Sequence, residues 1–329
     1  MTQSTIFPKK LKSGSHIRVI APSRSASILT KELIDYSKAR LEKFGFKVSF
    51  GKNIYESDDF HSSSVVSRIA DLHDAYRDKD IDAILTVIGG YNSNQIIDEI
   101  DYKLIENNPK ILCGFSDITT LSNAIYAQTK LVTYSGPHFS SWGMKKEFEY
   151  SIESFKKALI NSAPYDLEPS STWSDDMWFV DQGSRKLNKN KGLLVVHEGE
   201  AQGRIVGGHA RSLSSLQGTK YWPGLENTIL FIEEDDETSA ELFDRLVQSF
   251  IHQPDFNGVK GIVVGRFQNK SKISDSTLCQ IFESKKALKN IPIIANANFG
   301  HTTPVGTFPV GGEAKINATK QPSITILSH

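Results

Sequence analysis

Cysteine is nearly absent. Cys113 and Cys279 are the only two in 329 residues, too few for a disulfide framework. Cys113 falls in an apolar run and Cys279 in an amphipathic stretch, so both read as core residues rather than reactive thiols. Net charge is absent too: 38 basic residues balance 38 acidic ones, and no field points to nucleic acid or an anionic membrane as partner. No uninterrupted apolar stretch approaches membrane-spanning length. The opening Met1-Thr-Gln-Ser-Thr-Ile-Phe-Pro-Lys-Lys lacks the apolar region of a secretory signal, so the expected location is the cytoplasm. A Walker-type lysine and a dinucleotide glycine fingerprint are both missing, which takes support from nucleotide hydrolysis and hydride transfer. No His/Cys/Asp spacing suggests a metal, and no cofactor is implied. What remains is a globular balance, 39% hydrophobic and 23% charged, in a chain long enough for two domains.

Up to about residue 140, strand and helix signals alternate. Ile17-Arg-Val-Ile-Ala, Lys47-Val-Ser-Phe, Ile81 to Ile88, Ile111-Leu-Cys and Leu131-Val-Thr-Tyr read as strands. Leu33, Ile34, Ser37, Leu41 and Phe44 share one helical face, as do Val65, Val66, Ile69, Leu72 and Tyr76. This pattern predicts an α/β fold with a parallel, flavodoxin-like sheet covered by helices on both faces. In such sheets ligands bind outside the carboxyl ends of the strands. Three loops fall there: Ala21-Pro-Ser-Arg-Ser, Gly89-Gly-Tyr-Asn-Ser-Asn and Gly114-Phe-Ser-Asp. Residues 1–165 are expected to form this domain, 166–191 a linking loop, and 192–329 a β-rich α/β domain. The linking segment is polar but carries Trp173, Trp178 and Phe179. It reads either as a loop anchored by its tryptophans or as an aromatic wall over a ligand pocket. In the last segment, Thr238-Ser-Ala-Glu241 predicts a capping box, opening a helix with Leu242, Leu246 and Phe250 inward.

Chemistry concentrates in a few places. Ser116 follows a short apolar strand and a glycine, where a helix begins. Its hydroxyl would stand clear of a sharp turn beside unpaired backbone N–H groups, which suits a nucleophile; an ordinary helix cap uses the same residue. A serine needs a neighbouring base. Of nine histidines, His301 in Asn298-Phe-Gly-His-Thr-Thr-Pro is best placed, with His209 in Gly207-Gly-His-Ala-Arg next. The base needs a carboxylate to orient it. Glu233 comes directly off the apolar run Thr228 to Ile232, whereas Glu234 would point to the opposite side. The Gly89-Gly90 pair, with the Asp117 amide, would form an oxyanion hole, or else merely a tight turn. Arg24 and Arg211 are candidates, by loop position, for holding a substrate carboxylate or phosphate.

Ile88-Gly-Gly-Tyr, Gly114-Phe-Ser-Asp, Leu230-Phe-Ile-Glu-Glu and Gly300-His-Thr-Thr-Pro, in this order, resemble the LD-carboxypeptidase family of serine peptidases. That family includes the microcin C self-immunity peptidases. The resemblance implies a Ser–His–Glu triad of Ser116, His301 and Glu233, with oxyanion amides from Asp117 and the Gly89-Gly90 turn. It also implies a homodimer. The aromatic stretch from Trp173 to Gln182 resembles the self-immunity branch, in which an aromatic ring here stacks on a nucleobase; Trp178 and Trp173 are the candidates. His209 stands where many relatives have asparagine, which bears on the chemistry of the pocket. The expected substrate is therefore a small peptide or aminoacyl-nucleotide. The alternatives are a murein tetrapeptide losing its terminal D-alanine, and a binding protein without catalysis.

Overall fold

The computed structural model describes residues 4–329; residues 1–3, part of the stretch read above for a leader, lie outside it. Strands β1 (His16–Ile20), β2 (Lys47–Phe50), β3 (Ala83–Thr86), β4 (Ile111–Cys113) and β5 (Thr133–Ser135) pair in parallel in the order 2-1-3-4-5. This is the flavodoxin-like order that the alternating pattern predicts. Side chains alternate across the sheet: Ala83 and Leu85 enter one core, and Ile84 enters the other. Helices α1 (Lys31–Lys43) and α5 (Glu149–Leu159) cover the first face. Helices α2 (Val65–Arg77), α3 (Tyr102–Asn107) and α4 (Ile118–Thr129) cover the second. Val66 does not share the buried face of α2; it is 79% exposed.

The second sheet collects β6 (Tyr165–Asp166), β9 (Leu194–His197), β10 (Gly199–His209), β11 (Thr228–Glu233), β12 (Val259–Gly265), β13 (Ile293–Ala297), β15 (Glu313–Ala318) and β16 (Ser323–Ser328). Its strands β10 to β13 are parallel and its margins antiparallel. Between β6 and β9 a short hairpin forms, β7 (Thr172–Trp173) with β8 (Asn188–Lys189). The chain then crosses back: β14 (Phe308–Val310) adds an antiparallel edge to the first sheet, beside β5. Helix α6 (Ala210–Ser214) follows β10, while α7 (Ala240–Ile251) and α8 (Asp275–Glu283) pack on the outer face of the second sheet. The α7 cap is Ser239 rather than Thr238: its hydroxyl accepts the Leu242 N–H and donates to Glu241. Phe250 is buried as expected and Leu246 packs partly buried on the same cluster, but Phe243 and Val247 take the rest of the inward face and Leu242 is 40% exposed.

The inner face of the second sheet does not build a separate core. Ile229, Phe231, Val263 and Ile294 join the same apolar cluster as Val19, Leu85 and Tyr134. Phe308 of β14 stands 4.9 Å from Phe231 and 5.1 Å from Phe299, so three rings close the junction. Helix α4 is buried nearly all round and is bonded to β10. The Asn123 amide donates to Gly207 O at 2.9 Å and accepts the Gly207 N–H at 3.1 Å. The His209 N–H donates to Thr119 Oγ1 at 2.9 Å. This seam ties the helix that follows Ser116 to the neighbour of the strand that ends in Glu233.

Candidate active site

Ser116 stands between β4 and α4 with φ of +61°. A left-handed backbone at a residue with a Cβ costs about 1–3 kcal/mol and persists only where its surroundings impose it. Ser116 is not the cap of α4. Asp117 occupies that position, with no side-chain cap bond; its carboxylate instead accepts Ser23 Oγ–H at 2.6 Å and Ser93 N–H at 2.8 Å. The Asp117 side chain is thereby held within the loops, and its backbone N–H is left on the Ser116 side. Gly89 lies against this turn: a Cβ there would sit 2.9 Å from Ser116 Oγ and 3.5 Å from the Asp117 nitrogen. Only glycine lets the two loops approach so closely.

His301 lies between two partners. Its Nδ1 is 2.8 Å from Glu233 Oε2 and its Nε2 is 3.0 Å from Ser116 Oγ. A carboxylate can only accept, so Nδ1 carries the proton and Nε2 is the bare acceptor facing the serine hydroxyl. Glu233 is 2% exposed at the end of β11. Gly300, at φ +98°, leaves room for its carboxylate; a Cβ there would collide with Glu233 Oε2. The structure thus brings together three side chains far apart in sequence, in an order that can move a proton from hydroxyl to imidazole with a fixed counter-charge.

The adjacent carboxylate serves a different network. Strand parity sends Glu234 away from His301, as expected. Glu234 Oε2 accepts from Arg211 at 2.9 Å, and its Oε1 lies 3.5 Å from His209 Nε2, an ion-pair separation without hydrogen-bond geometry. Arg211 also pairs with Asp235 and Glu237. Burial opposes a charge on His209, but Glu234, Glu233 and Asp235 outweigh it and push its pKa up to about 9. Burial likewise opposes the Glu234 charge, and His209 with Arg211 overcomes it, holding that carboxyl below its ordinary value. His209, Glu234 and Asp235 do converge within 4.8 Å, a grouping their sequence spacing did not suggest, but the Arg211 guanidinium already neutralises it. The His209 ring stands 5.1 Å from that of His301, so this charged cluster backs the site, and only its Asp235 reaches the cleft wall.

The cleft in front of Ser116 encloses about 280 Å³. A larger groove of about 680 Å³ runs between α7 and α8 on the outer face, away from Ser116. Arg24, Tyr91, Phe115, Trp178 and Phe179 line the smaller cleft. Trp173 does not; its ring packs on the Arg266 guanidinium at 5.2 Å. The aromatic segment is clamped in place by Arg185, which pairs with Asp176 at 2.9 Å and donates to Thr303 Oγ1 at 3.0 Å, two residues beyond His301. Two cleft residues escaped sequence reasoning. His138, stacked on Phe115 at 4.3 Å, shares a hydrogen bond between its Nδ1 and Thr86 Oγ1 at 2.8 Å. Burial first, and the nearby His301 second, lower its pKa to about 3 and keep it neutral. Tyr91 donates to Glu237 at 2.5 Å across the cleft mouth. Gly136-Pro137 before His138, at the carboxyl end of β5, was the available signal. Arg68 was missed as well. Only 3% exposed, it ties Pro22 O to Asn92 O and Gln95, holding two of the cleft loops together.

The His209 cluster carries a pH signature. A folded-state pKa raised above the ordinary 6.5 means its stabilisation is complete below about pH 6.5 and is lost as pH rises through about 9. Denaturant midpoints measured from pH 6 to 10 should therefore fall more steeply for the unsubstituted protein than for His209→Asn. Parallel slopes would show that His209 carries no charge in the fold.

Comparison with known proteins agrees with this architecture. Residues 17–136 match the LD-carboxypeptidase N-terminal domain and residues 202–316 the LD-carboxypeptidase C-terminal domain. The Bacillus subtilis (strain 168) protein YocD, whose carboxypeptidase name is provisional, is 48% identical over 95% of this chain and 96% of its own. The crystal structure of an MccF-like protein from Bacillus anthracis str. Ames superposes with a TM-score of 0.97 at 50% identity, covering 99% of this chain and 100% of that one. MccF in complex with glutamyl sulfamoyl guanosine superposes at 0.89 and 28% identity, covering 98% of each. The flavodoxin-like sheet, the β-rich second sheet and both matched domains lead to one conclusion: this chain belongs to the LD-carboxypeptidase family and is a serine-type carboxypeptidase or hydrolase.

Proposed function

We propose that Ser116, His301 and Glu233 form a catalytic triad that cleaves the amide joining an acidic aminoacyl or peptidyl group to a nucleotide-like moiety. The observation that carries this reading is the continuous path from Ser116 Oγ through His301 to Glu233, with spacings of 3.0 and 2.8 Å. Ser116 Oγ attacks the carbonyl carbon while His301 Nε2 takes its proton. Negative charge then develops on the carbonyl oxygen, where the backbone N–H groups of Asp117 and the Gly89-Gly90 turn would hold it. One such donor is typically worth about 3–4 kcal/mol in the transition state. Collapse of the tetrahedral species breaks the C–N bond. His301 returns the proton to the leaving nitrogen, and an acyl-Ser116 ester remains. Water, deprotonated by the same imidazole, releases the acid and restores the serine.

The nucleotide part of the proposal draws on the cleft wall and on relatives. Trp178 and Phe179 offer flat faces beside the nucleophile, and base stacking on such rings tolerates different bases. MccF structures hold aspartyl sulfamoyl adenosine and, in a tryptophan-to-phenylalanine variant, adenosine monophosphate. A second reading keeps the triad and takes a murein tetrapeptide, as the name of a Pseudomonas aeruginosa relative at 24% identity describes for that protein. The aromatic wall favours the first reading, because a short peptide ending in D-alanine has no ring to stack.

Mass spectrometry of products from aspartyl sulfamoyl adenosine and from a muropeptide tests the reading. The sulfamoyl substrate should be cleaved, and Ser116→Ala should lower turnover at least about a thousandfold while leaving the fold intact. Near-normal turnover in that variant would remove Ser116 as nucleophile. Trp178→Ala separates the two substrates: it should lower kcat/KM for the nucleoside compound by about tenfold and barely affect the muropeptide. Equal losses on both would argue against stacking.

A further inference from the structure

Arg24 is the only lysine or arginine that lines the cleft of Ser116 among the described residues. Arg211 looks like its counterpart in sequence, but its guanidinium is consumed by Glu234, Asp235 and Glu237. Arg24 differs. No carboxylate of the described residues pairs with it, and its Nε–H is buried without an acceptor. A desolvated donor with no partner is costly, and a ligand oxygen brought against the guanidinium would offset that cost. Asp235 lines the same cleft but is engaged by Arg211 and not paired with Arg24, so this permanent cation is open to an anion from outside.

The residue is also held in place. Its backbone N–H donates to Gly89 O at 3.2 Å, directly beside the Ser116 turn, and its backbone bridges to Ser62. Gly90 packs against its stem: a Cβ there would come within 2.9 Å of Arg24 Cγ. The guanidinium lies over the Tyr91 ring at 5.0 Å, and Tyr91 is fixed in turn by its bond to Glu237. Stacking on one flat face leaves the edge of the fork available for oxygen acceptors. All of this sits at the carboxyl ends of β1 and β3, the point where strand order reverses and where open α/β sheets bind ligands.

We infer that Arg24 is the specificity-determining cation of the cleft, receiving the anionic oxygen group of the substrate, a phosphoryl or a carboxylate, beside Ser116. The inference rests on the hydrolase reading for the location of its substrate, but it concerns binding and can be tested without turnover. Ser116→Ala protein serves as the background. Binding is measured for adenosine monophosphate against adenosine, and for an N-acetylated peptide ending in D-alanine against its C-terminal amide.

In at least one pair the charged member should bind about tenfold more tightly, the size expected of one charge-assisted contact. Added Arg24→Gln should bring the two members of that pair within about twofold, and Arg24→Lys should keep part of the preference. A preference confined to the first pair identifies a phosphoryl group, and one confined to the second a carboxylate. A charge preference that survives Arg24→Gln in both pairs, or no preference in either pair before substitution, overturns the inference. Failure of Ser116→Ala to abolish hydrolysis would instead strike at the triad and leave this result standing.

Discussion

The seam between α4 and β10 is the constraint on which the site depends. Ser116 belongs to a turn of the first sheet, while Glu233 and His301 belong to the second. Their contacts of about 3 Å require two sheets to meet with almost no play. The reciprocal Asn123–Gly207 pair and the Thr119–His209 bond fix helix to strand through backbone groups, which cannot adjust by changing rotamer. Losing one partner would leave buried polar groups unsatisfied at about 1–3 kcal/mol each. Behind the seam, Phe231, Phe299 and Phe308 make the two halves share one apolar interior. The site is therefore a property of the whole chain rather than of either half.

Within that frame, charge is sorted by strand parity. Glu233 and Glu234 are consecutive and both buried, yet one faces His301 and the other faces His209 and Arg211. Each carboxylate has a cationic or proton-donating partner, as burial demands. His138 shows the opposite solution: buried without an anionic partner, it stays neutral. Three histidine rings within one small region thus hold different electrostatic roles because of what surrounds them. The aromatic segment, clamped by Arg185 to the His301 loop, places Trp178 over the same cleft.

Much of this was legible in the chain because the signals are local. Short apolar runs mark β1 to β5, and the repeated strand–helix units imply their parallel pairing. Ser116, Glu233 and His301 each sit where an apolar strand ends, and strand parity alone distinguishes Glu233 from Glu234. What escaped was set by tertiary contact. The inward face of α7 is set by packing on the second sheet, which takes Phe243 and Val247 and leaves Leu242 outside. Trp173 and Trp178 look equivalent in sequence, but Arg266 draws the first ring aside. Arg24 and Arg211 look equivalent as well, and only the fold shows that one is surrounded by carboxylates and the other has none. Arg68 gave no local sign, since its role comes from residues far away in the chain, and His138 gave only the Gly136-Pro137 turn before it.

The triad reading requires Ser116 and Glu233 to act as one unit through His301. A double-mutant cycle on kcat/KM measures this directly, using Ser116→Ala, Glu233→Gln and the pair together on whichever substrate the enzyme turns over. Residues of one proton path are strongly non-additive, so the double variant should be no slower than Ser116→Ala alone. Losses that simply multiply would show the two residues acting independently, without a shared proton path.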